Sequence, residues 1–233
     1  MASPLSQNAQ DQKPNIAGNA NWSHQLPPSV TNLSSSFPLP SNNSQQSGID
    51  LNYLVKSFLP PWQEAWRLCE LYLEQAPWFF GAVTKRQLHE EVLPLWYQEA
   101  PKPTSGSTSP SQSLVSPLSS EISPPNVSPA KGGAHELALL FVIFCFGALT
   151  DISLPPAPDN PDANQYFQLT KAALTLEGVL DRPPSVSTVQ TLALMAIYEG
   201  LCSGENSIES TWALMGLSTK LAQSVSLVDY LIL

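Results

Sequence analysis

Only 10 of the 233 residues are Lys or Arg, against 19 Asp plus Glu, which leaves a formal net charge of -9. So small a supply of cations excludes direct nucleic-acid binding through these residues, because phosphate contacts need a basic patch or stripe. Cysteine is as scarce. Cys69, Cys145 and Cys202 lie far apart, each within an apolar pattern, and no Cys-x-x-Cys occurs. A zinc site needs several thiolates or imidazoles converging at close spacing, so these thiols read as buried and unreactive. Their odd number fits a reducing compartment better than a disulfide framework.

Groups able to do chemistry are equally thin. His24 falls in a polar tail, His89 on a polar helix face, and His135 at a helix start, where it reads as a solvated end residue; none has an H-x-x-x-H partner. Glu90 and Glu91 are adjacent, and adjacent residues on a helix point apart, which disfavours a paired-carboxylate role. Asp151, Asp159 and Asp162 surround "TDISLPPAPDNPD", where turn and cap duty is expected rather than calcium binding, which needs more oxygen ligands at fixed spacing. The Gly-rich phosphate loops and the G-x-S-x-G nucleophile elbow are absent. No catalytic, cofactor-binding or metal-binding residue is assigned, no cofactor is expected in this chain, and an enzyme is disfavoured.

Long hydrophobic runs are missing too. The most apolar stretch, "LALLFVIFCFGAL" from Leu137 to Leu149, is too short to cross about 30 Å of hydrocarbon, so it reads as a core helix and no membrane is expected as a partner. "MASPLSQNAQDQKPNIAGN" shows no basic region followed by an apolar one and is not a secretory leader. Without export, the N-x-[ST] acceptors at Asn21, Asn32, Asn42 and Asn126 are accidents of an Asn/Ser-rich composition.

What is abundant is proline, 23 residues, too many for one ordinary globule. Residues 1–49 are rich in Ser, Asn, Gln and Pro and cannot bury enough apolar surface to offset the entropy of ordering them, so a flexible tail is expected. Residues 101–133 switch to "PKPTSGSTSPSQSLVSPLSSEISPPNVSPAKGG", a disordered insertion by the same logic. Its Ser-Pro pairs at Ser109, Ser116, Ser123 and Ser128 are candidate proline-directed phosphorylation sites, with chance an equal explanation in so Ser/Pro-rich a segment.

Between and after these segments the 3.6-residue period dominates. In "LPPWQEAWRLCELYLEQAPW", Pro60 and Pro61 open a helix whose Ala65, Leu68, Cys69, Tyr72, Leu73 and Ala76 form one face. "AVTKRQLHEEVLPLWY" offers a capping box, Thr84 with Gln87, and a Val83–Leu88 staple, before Pro94 ends the helix. "HELALLFVIFCFGALTDISLPP" is the most buried helix. Next comes one capped by Asn160, with Tyr166, Leu169, Ala173, Leu176 and Leu180 as its stripe. "PSVSTVQTLALMAIYEGLCSG" is capped by Ser185 and led by Val189, Leu192, Ala193, Ala196 and Ile197. The last helix, capped by Ser207, turns Leu214, Leu217 and Leu221 back onto it, with Gly216 leaving room for close approach. Short loops imply antiparallel neighbours, so the expected fold is all-α, an irregular array of helical hairpins.

The succession "QYFQLTKAALTLEGVL", "PSVSTVQTLALMAIYEG", "CSGENS" and "STWALMGLSTKLAQS" resembles the regulatory middle homology domain of fungal zinc binuclear cluster transcription factors. The features shared are an aromatic-rich helix, a Pro-Ser cap, Val-Gln before a leucine run, a Gly-containing turn, and a Trp helix continuing into Lys-Leu-Ala. "LPPWQEAWRLCELYLEQAPWFFGAVTKRQLHEEVLPLWY" looks like the opening helices of that domain in basidiomycete members, and "LALLFVIFCFGALTDISLPP" resembles the helix after the family's variable insertion.

The resemblance implies that residues 50–100 and 134–227 are two parts of one regulatory domain in a nuclear protein. DNA and zinc would be engaged only by a six-cysteine domain absent from this chain, and transcriptional regulators are the protein partners implied. Residues 228–233, within "LVDYLIL", depart from the family pattern, and the chain reads as a fragment. The alternative from a different class is an interaction adaptor holding a partner helix in a groove beside the Pro184–Gly204 helix.

Overall fold

The computed structural model describes residues 26–39, 49–75, 81–100, 132–181, 183–202 and 207–232, with side chains described up to residue 225. Among the described residues seven α-helices succeed one another: α1 (Pro28–Ser35), α2 (Leu51–Phe58), α3 (Trp62–Gln75), α4 (Ala134–Leu149), α5 (Pro161–Leu176), α6 (Val186–Cys202) and α7 (Ser207–Ile232). A π-helical segment, Gln87–Val92, continues into a 3-10 turn, Leu93–Leu95, between α3 and α4. Among the described residues the fold is all-α, as its periodicity predicts. Residues 101–131 of the insertion expected at 101–133, the Ser-Pro pairs within it, the turn at 203–206 and most of the expected tail lie outside the described residues.

Helix α4 is the centre. Fourteen of its 16 residues are buried, including Phe141, Ile143 and Phe144 at 0% exposure, which is the physical meaning of a helix apolar on every side. It packs against α3, α5 and α6, and α7 packs on α6. Neighbours run antiparallel. Asn160 Nδ2 donates to Ala148 O (2.9 Å) at one end of the α4–α5 pair, while His135 meets Glu177 O (2.7 Å) at the other. In the α6–α7 pair Thr211 Oγ1 donates to Ala196 O (3.3 Å) and Ser218 Oγ to Val189 O (3.0 Å). One contiguous core runs from Val30 to Leu214, so residues 51–100 share it with residues 134–221.

Helix starts follow local chemistry. The Asn160 side chain accepts from Ala163 N (2.9 Å) and Ser185 Oγ from Thr188 N (3.2 Å), the expected caps. Asp50 caps α2 by accepting from Tyr53 N (2.7 Å), a helix that no long periodic run announces. Thr84 Oγ1 accepts from Gln87 N (3.1 Å). The reciprocal half of that capping box is not made, because the Gln87 side chain is drawn to Gln190 instead. Ser207 is the first helical residue of α7 rather than its cap.

Packing refines one expectation and corrects another. The first is the tail: α1 falls within residues 1–49 and lies along α5, with Val30 and Leu33 at 0% and 3% exposure and Ser34 Oγ 3.0 Å from Gln168 Oε1. Two apolar residues one turn apart suffice when a partner surface encloses them, although the polar sequence around them carries no core signature. The second is the close helix approach. A Cβ on Gly216 would meet nothing within 4 Å, whereas one on Gly147 would sit 2.3 Å from Leu68 O. The glycine that lets two helix backbones meet is therefore in α4, against α3.

Candidate functional site

Polar groups that converge do so at the seams between helices. The densest seam is at the start of α6. Gln190 Nε2 donates to Gln87 Oε1 (2.9 Å) and to Ala82 O (2.6 Å), and Gln87 Nε2 returns a bond to Gln190 Oε1 (2.9 Å). The neighbouring Val189 O receives the α7 bond from Ser218. The Val189-Gln190 pair thus ties three pieces together: the segment before α4, α6 and α7. Amides suit this role because each offers donor and acceptor in one plane, and a paired amide leaves neither unmet.

His135, expected at a solvated helix end, is buried at 7% exposure. Its Nε2 lies 2.7 Å from Glu177 O and its Nδ1 2.7 Å from Thr188 Oγ1. A carbonyl can only accept, so Nε2 carries the hydrogen and, in the neutral ring, Nδ1 accepts from the Thr188 hydroxyl. Thr188 Oγ1 in turn accepts from Ser185 N (3.2 Å). The imidazole is a rivet joining the start of α4 to the end of α5 and the cap of α6.

The His89 side chain is 13% exposed rather than on a solvated face; its ring lies tilted against that of Trp66, centroids 4.5 Å apart, and Nε2 lies 3.0 Å from Glu70 Oε1. The two atoms are close but out of line for a hydrogen bond, and each is left without another partner among the described residues. Lys85 Nζ approaches the same carboxylate at 3.5 Å. Beside it, an open cleft of about 440 Å³ is bounded by Leu73, Glu74, Gly81 and Thr84. Two carboxylates and one ammonium at its wall form a solvated charge cluster, with no nucleophile or base–nucleophile pair among them. Glu90 and Glu91 both turn to Arg86, at 3.4 and 3.9 Å, in exposed ion pairs of small energetic weight.

Asp151 serves as the expected turn residue. Its Oδ1 accepts from Ser153 N (2.8 Å) and Ser153 Oγ (2.6 Å), and its Oδ2 from the Arg67 guanidinium, which also forks onto Glu64 at 2.7 and 2.9 Å. These donors, Ser153 foremost and Arg67 with it, hold the Asp151 carboxyl down at about 2. The thiols of Cys69 and Cys145 are fully buried and pushed well up by that burial, and Cys202, half-buried beside Tyr198, is raised to about 11 for the same reason. Among the described residues no three His, Cys, Asp or Glu side chains group as metal ligands, and no helix is long and apolar enough to cross a membrane. Leu192, expected on the leading face of this core helix, is completely enclosed.

A family model described as the fungal specific transcription factor domain matches residues 110–229, just over half of the chain. The chain belongs to that family. Helices α4 to α6, the Ser185 cap and Val189-Gln190 fall within the matched residues, whereas α1 to α3 and the seam partners Gln87 and Ala82 precede them. Among curated proteins, the chain is similar to the sorbicillinoid biosynthetic cluster transcription factor 2 of Penicillium rubens, 34% identical over 89 residues. That stretch is 38% of this chain and only 13% of the relative's length. No solved structure matches. The fungal transcription factor domain is a regulatory family rather than an enzyme class, and the role it supports is regulation of transcription.

Proposed function

We propose that this chain is the regulatory, non-DNA-contacting part of a fungal zinc-cluster transcription factor acting in the nucleus, with no catalytic activity. Zinc and DNA would be held by a part of the protein other than these 233 residues, consistent with a net charge of -9 and three scattered cysteines. The observation that carries the reading is the family match over residues 110–229, laid on a helical array whose polar convergences are structural seams. The helices of residues 50–100 belong to the same regulatory unit, a reading supported by their shared core and by the Gln87–Gln190 bonds across it. Its partners are then transcriptional proteins.

The test is functional. Fused to an unrelated DNA-binding domain in a fungal host, the chain should change output from a reporter severalfold relative to that domain alone. Unchanged output, or submicromolar, sequence-specific and salt-dependent DNA binding by the purified chain itself, would count against it.

A further inference from the structure

Helix α7 is covered on one side and bare on the other. Thr211, Leu214 and Ser218 turn towards α6, where Thr211 and Ser218 bond to its carbonyls and Leu214 is 9% exposed. On the opposite side Glu209, Trp212, Ala213 and Lys220 all face solvent, as the 3.6-residue period requires of a helix seated on one neighbour. Trp212 is 74% exposed, and Ile208, one turn before it, is 65% exposed. An indole left this far out keeps a large apolar surface in water, and tryptophan is among the side chains most enriched at the centre of interfaces.

The charges on this face decide what fits it. From Ser207 to Val225, α7 carries two charged residues, Glu209 and Lys220, in a chain of net charge -9. Neither has an ion-pair partner among the described residues. They stand at i and i+11, three turns apart on one side of the helix. Laid antiparallel on a second α7, Glu209 comes opposite Lys220 and Lys220 opposite Glu209, an ion pair at each end with Trp212 and Ala213 between. A parallel pair would set Glu209 against Glu209 and Lys220 against Lys220, and would align the two helix dipoles instead of opposing them. The face is therefore complementary to itself about a two-fold axis, the commonest symmetry of two-chain assemblies. It is also locally neutral, so two copies meet there without the like-charge repulsion that an acidic surface otherwise imposes.

We propose that the outer face of α7 is a surface for a second copy of this chain. Two copies pair antiparallel through it: Trp212 and Ile208 supply the apolar contact, and the two Glu209–Lys220 pairs fix the direction. Exposed ion pairs contribute orientation more than affinity, so Trp212 carries most of the binding. One helix face per copy is a small interface, so the dimer is reversible and the dilute chain is single.

Sedimentation of the full chain over a range of concentrations tests this. The weight-average mass is expected to rise towards twice the 25.3 kDa of one chain. Trp212→Ser, a change at an exposed position, should weaken association at least tenfold with helicity unchanged. Glu209→Lys and Lys220→Glu should each weaken it severalfold, because each sets like charges against one another at both ends of the antiparallel pair. The two changes together exchange the charges and should restore the parental association. A single-chain mass at every concentration overturns the proposal, and so does a dimer that survives Trp212→Ser unaltered. Single charge variants that associate like the parent, or a double variant that fails to recover, refute the antiparallel pairing and the proposal with it.

Discussion

Gln87 and Gln190 exchange two amide hydrogen bonds of 2.9 Å across 103 residues of chain, and Gln190 adds a third to Ala82 O. This pairing joins the π-helical segment to α6 and replaces half of the local capping box that the segment would otherwise form. Gln190→Leu leaves the Gln87 amide and Ala82 O without their partners. The expected loss is about 2–3 kcal/mol, read as a lower urea midpoint. Alanine at both positions should cost less than the two single changes added together, with a coupling of about 1 kcal/mol.

Gly147 and Gly216 predict opposite results for the same substitution. Gly147→Ala drives a methyl group into Leu68 O, where neither helix backbone can yield cheaply, and should cost about 3 kcal/mol or abolish folding. Gly216→Ala enters open space on the outer side of α7 and should stabilise by about 0.5–1 kcal/mol through helix propensity. Thermal unfolding of the two variants beside the parent decides this; a destabilised Gly216→Ala would mean that something covers that face in solution.

Asp151 sets an acid limit. Its carboxyl, held at about 2 by Ser153 and Arg67, titrates near 3.9 when unfolded. The folded form therefore binds the proton less readily. The stability this brings is complete above about pH 4 and disappears as pH falls towards 2. Because the Arg67 side chain is 45% exposed, solvent screening limits the contribution to about 1–2 kcal/mol. Asp151→Asn should lower stability at pH 7 and flatten its fall between pH 4 and pH 2; an unchanged acid slope would contradict the assignment.

The thiols should react in an order set by burial. At pH 8 in the folded chain, a thiol-specific reagent is expected to label Cys202 first and to leave Cys69 and Cys145 untouched until unfolding, since both are at 0% exposure with thiolates strongly disfavoured. Mass spectrometry of time-quenched samples locates the label. Early modification of Cys145 would show that α4 opens far more readily than its packing implies.

The boundary between what could be read from the chain and what could not follows the range of the interactions. Proline breaks, the Asn160 and Ser185 caps and the apolar run of α4 act within about four residues, so helix starts, stops and the most buried helix were legible, as was the order of motifs that belongs to the fungal transcription factor domain. The residues that join helices were legible only as types. Val189-Gln190 stood out as a motif, but its partners, Gln87, Ala82 and Ser218, lie 103, 108 and 29 residues away. His135 carried the signature of a helix end and nothing of Thr188 or Glu177, which enclose it from positions 53 and 42 residues downstream.

By itself the sequence determined an acidic, all-helical chain with its helices in a set order, because hydrophobic periodicity and capping are local physics; its regulatory role was legible only through the resemblance of its motifs to a family. Only the tertiary structure decided that a short polar-looking segment near the N-terminus docks on α5, that Gly147 rather than Gly216 is the point of close approach, and that His135 is a rivet rather than a solvated end. Each depends on which surface arrives opposite the residue, and that is settled by packing the whole chain around α4, not by the residue's neighbours in sequence.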